Sequence, residues 1–151
     1  MLLPETQTPE TVSPMPSLNH SYLCMEILRQ LIAQPHLQPM VELTLDIDKG
    51  LTPDISVFEQ NQIRPNFLKD VVRCPQMPRL AIEVISPRQA IEDVLDKAPV
   101  LLQAGVGAVW TIEPYGKSIF VATEAGNAIF HDAVVETQGI QVDFSQVFRV
   151  P

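Results

Sequence analysis

The sequence predicts an α/β (α+β) domain with the element order α-β-β-β-α-β, a mixed sheet flanked by helices, and extra hairpin strands at the C-terminal end. Three segments carry this prediction. Residues 20–34 have apolar side chains at helical spacing, residues 80–85 (LAIEVI) are apolar on both faces of a strand, and residues 88–103 have a helical pattern. A strand buried on both faces needs helices on each side of its sheet, so helices are expected to form the outer layers.

The length of 151 residues suits a single domain, and 46% hydrophobic residues are enough to build a core. Residues 1–17 contain four prolines among Thr, Ser and Glu, a composition that buries little surface. We therefore expect residues 1–17 to be a mobile arm and residues 18–151 to form the domain.

The first helix is predicted from its boundaries as well as from its apolar face. Ser17 or Asn19 is placed to cap a helix over residues 20–34, and Pro35 is placed to end it. The apolar positions recur at helical spacing (Leu23, Ile27, Leu31 and Ile32). This pattern indicates an amphipathic helix with one buried face.

Three strands are predicted to follow this helix. Residues 41–47 alternate between apolar and polar side chains, which is typical of a half-buried strand. A second strand is expected over residues 51–58, and the third is the segment at 80–85. Between them, residues 60–78 read as irregular, with a single helical turn near residues 67–72.

The second half is predicted to continue with a helix over residues 88–103, kinked or broken by Pro99 and closed by Gly105. A buried strand at 107–113 and its hairpin partner at 118–123 come next. A further turn at 124–127 leads into another short strand. The apolar side chains of the tail predict a final strand or turn that packs on the sheet (Val142, Phe144, Val147 and Phe148).

The formal net charge of −8 argues against a protein that binds nucleic acid avidly and without specificity, because such binding comes from Lys and Arg neutralising phosphates. It does not exclude a nuclease, since acidic clusters that hold metal add negative charge. Six of the ten basic residues fall between Arg64 and Lys97, either as solvated side chains or as a local contact surface.

No apolar run reaches the roughly 18–20 residues that a membrane span needs, so no membrane association is predicted. The first residues lack the basic start and apolar stretch of a signal peptide, which favours a cytoplasmic location. In that compartment Cys24 and Cys74 are expected to be free thiols.

Glu83 is the polar residue within the buried strand at 80–85. Burying an ionised carboxylate without a partner is costly, so such groups are paired, protonated or bound to a metal. A salt bridge to Lys97 or to an arginine, or a strand end that reaches water, would equally explain Glu83. Asp54 lies on the neighbouring predicted strand, on the face opposite to Ile55.

Other residue types give weaker signals. The three histidines, His20, His36 and His131, have no metal-ligand spacing and are expected to be surface or capping groups. Ser86 does not lie in a nucleophile-elbow sequence, and Trp110 is expected to belong to the core. Asp93 and Lys97 are four residues apart, as in an ordinary helical ion pair.

Taken in order, the motifs are Pro53-Asp54, then EVISP at 83–87, then Asp93 and Lys97, then Gly105 before an apolar strand. This set resembles a large family of restriction-endonuclease-like proteins of unknown function, abundant in cyanobacteria, within the PD-(D/E)XK nuclease superfamily. The resemblance covers roughly residues 18–123. It implies a restriction-endonuclease-like fold.

The resemblance also implies roles for single residues. Asp54, Glu83 and the Val84 carbonyl become ligands of Mg²⁺ (or Mn²⁺), and Lys97 becomes the catalytic lysine. The superfamily's usual lysine, two positions after the Glu, is here Ile85, so Lys97 would be a migrated substitute. Possible accessory residues are Glu26 on the first helix, Asp93, and the pair that follows the Glu83 strand (Arg88 and Gln89).

Three functions are consistent with these residues. The leading hypothesis is a Mg²⁺-dependent endonuclease-like hydrolase of DNA phosphodiesters. The alternative is a catalytically degenerate nuclease fold that acts as a homodimeric interaction module, with the 107–113 strand or the C-terminal hairpins as contact surfaces. A more remote option is a hydrolase of a small phosphorylated ligand, which would need a narrow, closed pocket at Glu83.

Overall fold

The computed structural model describes residues 16–151, so most of the predicted mobile arm at 1–17 lies outside the described residues. The elements follow in this order: α1 (Leu18–Ile32), β1 (Leu37–Val41), β2 (Ile55–Glu59), β3 (Leu80–Val84), α2 (Ile91–Leu95), α3 (Lys97–Gln103), β4 (Ala108–Glu113), β5 (Ser118–Thr123), β6 (Gly126–His131), β7 (Val134–Thr137), β8 (Ile140–Asp143) and α4 (Phe144–Val147).

Within residues 16–151 the strands form a six-stranded sheet, ordered β1-β2-β3-β4-β5-β6, and a separate β7-β8 hairpin. In the large sheet β3 and β4 are parallel, and the other neighbouring pairs are antiparallel. A parallel pair needs a crossover connection, and α2 and α3 supply it. The predicted mixed sheet flanked by helices is therefore confirmed.

Helices cover both faces of the sheet. On one face, α1 buries Leu23, Ile27 and Leu31 in a core that also contains Trp110 and Phe144. On the other face, α3 buries apolar residues against the opposite side of β2, β3 and β4 (Ala98 and Leu101 against Phe58, Ala81 and Val109). Every residue of β3 is buried, as its sequence predicts for a central strand.

Helix α1 begins and ends close to its predicted limits. The Ser17 side chain accepts a hydrogen bond from the His20 backbone N–H at 3.1 Å and so caps the helix, whereas Asn19 lies inside its first turn. The helix ends at Ile32, shortly before Pro35. The proline ring disfavours helical backbone angles at the residue that precedes it, so the helix cannot continue through this segment.

The predicted strand at 41–47 is wrong, since β1 lies earlier, at Leu37–Val41. Pro39 is accommodated there because β1 is at the edge of the sheet, where a missing N–H is tolerated. Glu42 has φ of +48° and ends the strand. The alternation after it reflects an irregular segment in which Leu45 and Ile47 are buried while Asp46 and Asp48 face solvent.

The predicted helix over 88–103 is interrupted at Asp96, giving α2 and α3. Pro99 lacks the N–H that would bond to the carbonyl of Leu95, and its ring would clash with that carbonyl, so the helix restarts with Pro99 in its first turn. Gly105 follows α3 with φ of +111°, as its predicted helix-ending position requires.

Two further segments differ from expectation or refine it. Residues 67–72 form turns and bends rather than a helical turn, and Phe67 and Leu68 are almost fully exposed. The tail forms the β7-β8 hairpin and α4, and its predicted apolar residues are buried in the core (Val142, Phe144, Val147 and Phe148).

Within residues 16–151, no helix has the length and apolar character needed to cross a bilayer.

Candidate active site

Asp54 and Glu83 lie opposite each other at the ends of two neighbouring strands. Ile55 of β2 pairs with Ile82 of β3, so one step further along the antiparallel ladder Asp54 faces Glu83. The Asp54 backbone N–H donates to Glu83 Oε1 at 3.0 Å, and the Val84 N–H donates to Asp54 Oδ2 at 2.7 Å. Each acid is thus held by the backbone of the other strand.

Strand geometry places the Val84 carbonyl on the side of β3 that faces β2. In a strand, the N–H and C=O of one residue lie on the same edge, and the Val84 N–H is directed at the Asp54 carboxylate. On the other edge, the Ile85 N–H bonds to the Ile112 carbonyl of β4. The Val84 oxygen is therefore placed on the same side as the carboxylate pair.

Lys97 reaches the pair from the start of α3. Its Nζ lies 3.3 Å from Glu83 Oε2, and the two side chains are 41% and 10% exposed. Lys97 does not form the expected helical pair with Asp93, because the interruption at Asp96 separates their helices and no ion pair joins them within residues 16–151. The Lys97 ammonium is thus paired with Glu83 and partly open to solvent.

The environment of Glu83 disfavours its charge. Burial, followed by the neighbouring Asp54 carboxylate, raises the pKa of Glu83 above its usual range, and Lys97 opposes the shift. Ile85, which occupies the usual lysine position of the superfamily, is a buried aliphatic side chain, so that position supplies no positive charge. A bound cation would reverse the balance by stabilising both carboxylates.

A cleft of about 440 Å³ opens to solvent above these residues, between α1 and the ends of β1, β2 and β3. Its polar lining comes from all four elements and the turn after β3 (His20, Cys24, Glu42, Asp54, Glu83 and Gln89). The acids outnumber the basic groups there, so the cleft favours a cation.

The sequence profile of the Uma2 family, described as "Putative restriction endonuclease", matches residues 7–149. The chain belongs to the Uma2 family. The motifs at Asp54, Glu83 and Lys97 lie within the matched range, and the resemblance inferred from them is confirmed.

A solved structure from Anabaena variabilis, described as a "putative nuclease belonging to DUF820", has a TM-score of 0.75 to the Uma2 chain. It is 24% identical, and the match covers 89% of this chain and 83% of the other. This likeness confirms the predicted nuclease-like fold. No curated protein matches the chain.

His20 of the Uma2 chain was expected to be a surface or capping group, and this expectation is wrong. Its Nε2 lies 3.1 Å from Asp54 Oδ2, and its side chain is 14% exposed. Cys24, one turn later on α1, has its Sγ 3.9 Å from the His20 Nδ1. The His-x-x-x-Cys spacing was the signal available in the sequence, because residues four apart share a helix face.

Cys24 and Glu42 complete the cleft. Both cysteines are free thiols in the described part of the chain, as predicted. Burial, with smaller contributions from Asp54, Glu83 and Glu42, raises the pKa of the Cys24 thiol to about 12. Glu42 lies at the rim because its left-handed backbone turns the chain after β1.

The predicted accessory residues divide into two groups. Gln89 lines the cleft, where its Oε1 accepts from the Ser86 N–H at 2.8 Å. Glu26 pairs instead with Arg29 at 3.4 Å and does not line the cleft. Arg88 and Asp93 are exposed and, like Lys97, are not among the residues that line the cleft.

Proposed function

We propose that the protein is a Mg²⁺- or Mn²⁺-dependent endonuclease-like hydrolase of DNA phosphodiester bonds. Asp54 and Glu83 are its metal ligands, and Lys97 is its catalytic lysine. The observation that supports this most is the reciprocal bonding of Asp54 and Glu83, with the Lys97 Nζ 3.3 Å from the Glu83 carboxylate. Membership of the Uma2 family, described as "Putative restriction endonuclease", supports the class of reaction.

The oxygen atoms at the site fit a hard divalent ion. Two carboxylates and a backbone carbonyl, that of Val84, are the donor types that Mg²⁺ and Mn²⁺ prefer. Asp54 Oδ2 is engaged by Val84 and His20, while Oδ1 makes no hydrogen bond within residues 16–151. Lone pairs on Oδ1 are therefore left for an ion.

Each residue has a distinct part in the proposed hydrolysis. An ion held by Asp54 and Glu83 would supply charge to polarise the phosphate and to lower the pKa of the attacking water. Asp54 and Glu83 fix the position of that charge. Lys97, whose side chain is 41% exposed, is accessible to substrate and stabilises the negative charge that develops on the phosphoryl oxygens.

DNA is the favoured substrate because the cleft is open at the ends of β2 and β3, whereas a small phosphorylated ligand would need a closed pocket. Arg88 is exposed immediately after the Glu83 strand and is proposed to contact a phosphate, with Gln89 beside it. With a net charge of −8, DNA contact should be local and sensitive to salt.

The alternative, a catalytically degenerate homodimeric module, is favoured by the outer edge of β6. Five of the six β6 residues are exposed, and Ile129 is 57% exposed. An unpaired edge of this kind is a template for strand addition. The predicted contact at 107–113 is wrong, because β4 is buried inside the sheet. Dimerisation and a cytoplasmic location stay predictions.

The test is cleavage of supercoiled plasmid, linear duplex and single-stranded DNA with Mg²⁺ or Mn²⁺. Wild type should cut at least one substrate, and Glu83→Gln and Lys97→Met should lose roughly 10²–10³-fold in rate. Glu124→Gln and Lys49→Met make the same charge changes at exposed positions and should keep wild-type activity. Cutting that survives Glu83→Gln would contradict the proposal.

A further inference from the structure

His20 and Cys24 form a second set of metal-ligating groups beside Asp54. They are four residues apart on α1, so both side chains lie on one face of the helix, beside Asp54. One ligand atom from each of His20, Cys24 and Asp54 lies within 4.8 Å of the others. This set is separate from the all-oxygen set of Asp54, Glu83 and Val84 and shares with it only Asp54.

The separations fit a single tetrahedral ion. Zinc bonds of about 2.0–2.3 Å to nitrogen, oxygen and sulfur put tetrahedral ligand atoms about 3.3–3.8 Å apart. Here the His20 Nε2 lies 3.1 Å from Asp54 Oδ2 and 4.0 Å from Cys24 Sγ. Shifts of a few tenths of an ångström along these two vectors would bring both separations into that range, and the ligand atoms of Cys24 and Asp54, which lie within 4.8 Å of each other, need to approach by at most about 1 Å.

The imidazole of His20 and the thiolate of Cys24 prefer a different kind of ion from the one that the carboxylate pair prefers. Thiolate and imidazole are ligands for Zn²⁺ and related transition ions, whereas Mg²⁺ takes oxygen. We propose that His20, Cys24 and Asp54 bind a thiol-preferring divalent transition ion such as Zn²⁺, with the fourth position open to the cleft. This site goes beyond the proposed nuclease function and does not depend on it.

Coordination must remove the proton from Cys24. Burial and the nearby carboxylates raise the pKa of this thiol to about 12, so the sulfur is protonated at neutral pH without an ion. On binding, the S–H bond breaks, the metal–sulfur bond forms and the proton passes to the buffer. His20 must present its neutral Nε2 lone pair, and its contact with Asp54 is then replaced by a shared bond to the ion.

Cobalt(II) is the probe for this site, because thiolate coordination gives a charge-transfer absorption in the near ultraviolet and tetrahedral geometry gives intense visible bands. We expect wild type to show both, saturating at one equivalent and displaced by Zn²⁺. Cys24→Ser should lose the charge-transfer band, and His20→Asn should weaken binding at least tenfold. Cys74→Ala and His131→Asn, which change the same residue types elsewhere, should leave the spectrum unchanged.

Two results would overturn the inference: no thiolate–cobalt band in wild type, or a band that survives Cys24→Ser and disappears in Cys74→Ala. Circular dichroism of each variant excludes loss of folding as the cause. Glu83→Gln separates this site from the nuclease site, because it should abolish the all-oxygen site and leave the cobalt band. A cobalt band without Glu83-dependent Mn²⁺ binding would support this site and contradict the proposed nuclease.

Discussion

Asp54 and Glu83 are bonded to each other's strands: the Asp54 N–H donates to Glu83 Oε1, and the N–H that follows Glu83 donates to Asp54 Oδ2. Two acids are therefore held side by side by backbone geometry, with Lys97 as a partly exposed counter-charge. In the absence of a cation, burial and repulsion act against the folded state. The charge that Glu83 needs to bind a cation should therefore lower the stability of the cation-free protein, and a bound cation should restore it.

Glu83→Gln should stabilise the protein at neutral pH by about 0.5–2 kcal/mol, because it removes a carboxylate whose charge is disfavoured by burial and by Asp54. The pKa of Glu83 is raised in the fold, so its contribution to stability is fully present below the unfolded pKa of about 4.3 and is lost as pH rises through the folded pKa. Urea unfolding of both proteins from pH 4 to pH 8 measures this.

The stability difference between the two proteins should widen as pH rises from 4 toward 8, because Gln cannot ionise. A variant that is less stable than wild type at pH 7 would show that Lys97 and the Asp54 N–H outweigh burial and repulsion. Glu124→Gln, at an exposed turn, is the control for the loss of one negative charge and should change stability by less than about 0.5 kcal/mol.

Lys97→Met should separate ion binding from catalysis. The Lys97 ammonium competes with a cation for Glu83 Oε2, so its removal should tighten Mn²⁺ binding while DNA cleavage falls roughly 10²–10³-fold. Calorimetry and cleavage rates on the same preparations measure the two effects. Parallel loss of both would instead indicate that Lys97 is needed to hold the carboxylates in place.

Arg88→Ala should weaken DNA binding and reduce the salt dependence, lowering the slope of log K against log[salt] by about 0.9, the value for one phosphate contact. Arg88 is exposed and directly precedes the cleft residue Gln89, whereas Arg64 is exposed on the segment between β2 and β3. Arg64→Ala removes the same charge and should leave the slope unchanged. Fluorescence anisotropy with a labelled duplex in Ca²⁺ measures the DNA affinity and its salt dependence. Equal slopes for wild type and Arg88→Ala would show that Arg88 makes no phosphate contact.

Phe144→Ala should destabilise the domain by about 3–5 kcal/mol, the usual cost of emptying an aromatic position in a core. Phe144 is fully buried, and its ring packs edge-on against Trp110 at a centroid distance of 5.9 Å. Trp110 is the single tryptophan of the chain, so its fluorescence reports unfolding in urea. Tyr115→Ala, at a position 94% exposed, should change stability by less than about 0.5 kcal/mol.

Two of the elements that the sequence predicted well are strands with nearly uniform burial. Residues of β3 and β4 are apolar on both faces, and both strands formed within one residue of their predicted limits. The strand β1 was missed because Pro39 lies inside it and its burial is uneven. The alternation at 41–47 predicted a strand wrongly, because Leu45 and Ile47 are buried in the core although the segment that contains them is irregular.

The candidate site was predicted in part for a similar reason. A lone acid in a buried strand is conspicuous, and the order Asp54, Glu83, Lys97 along three elements carried the family resemblance. His20 was missed because its approach to Asp54 depends on how α1 packs on the sheet, which is a tertiary contact without a local pattern. Glu26, proposed from the resemblance alone, points to Arg29 instead.

The most direct test of the proposed nuclease site is calorimetric titration of Mn²⁺ into wild type, Asp54→Asn and Glu83→Gln. Asp48→Asn is the matched control, since Asp48 is exposed and Asn tolerates its φ of +49°. We predict binding in wild type and in the control, and loss in both site variants. Absence of binding in wild type at millimolar Mn²⁺, or binding that survives in both variants, would contradict the account.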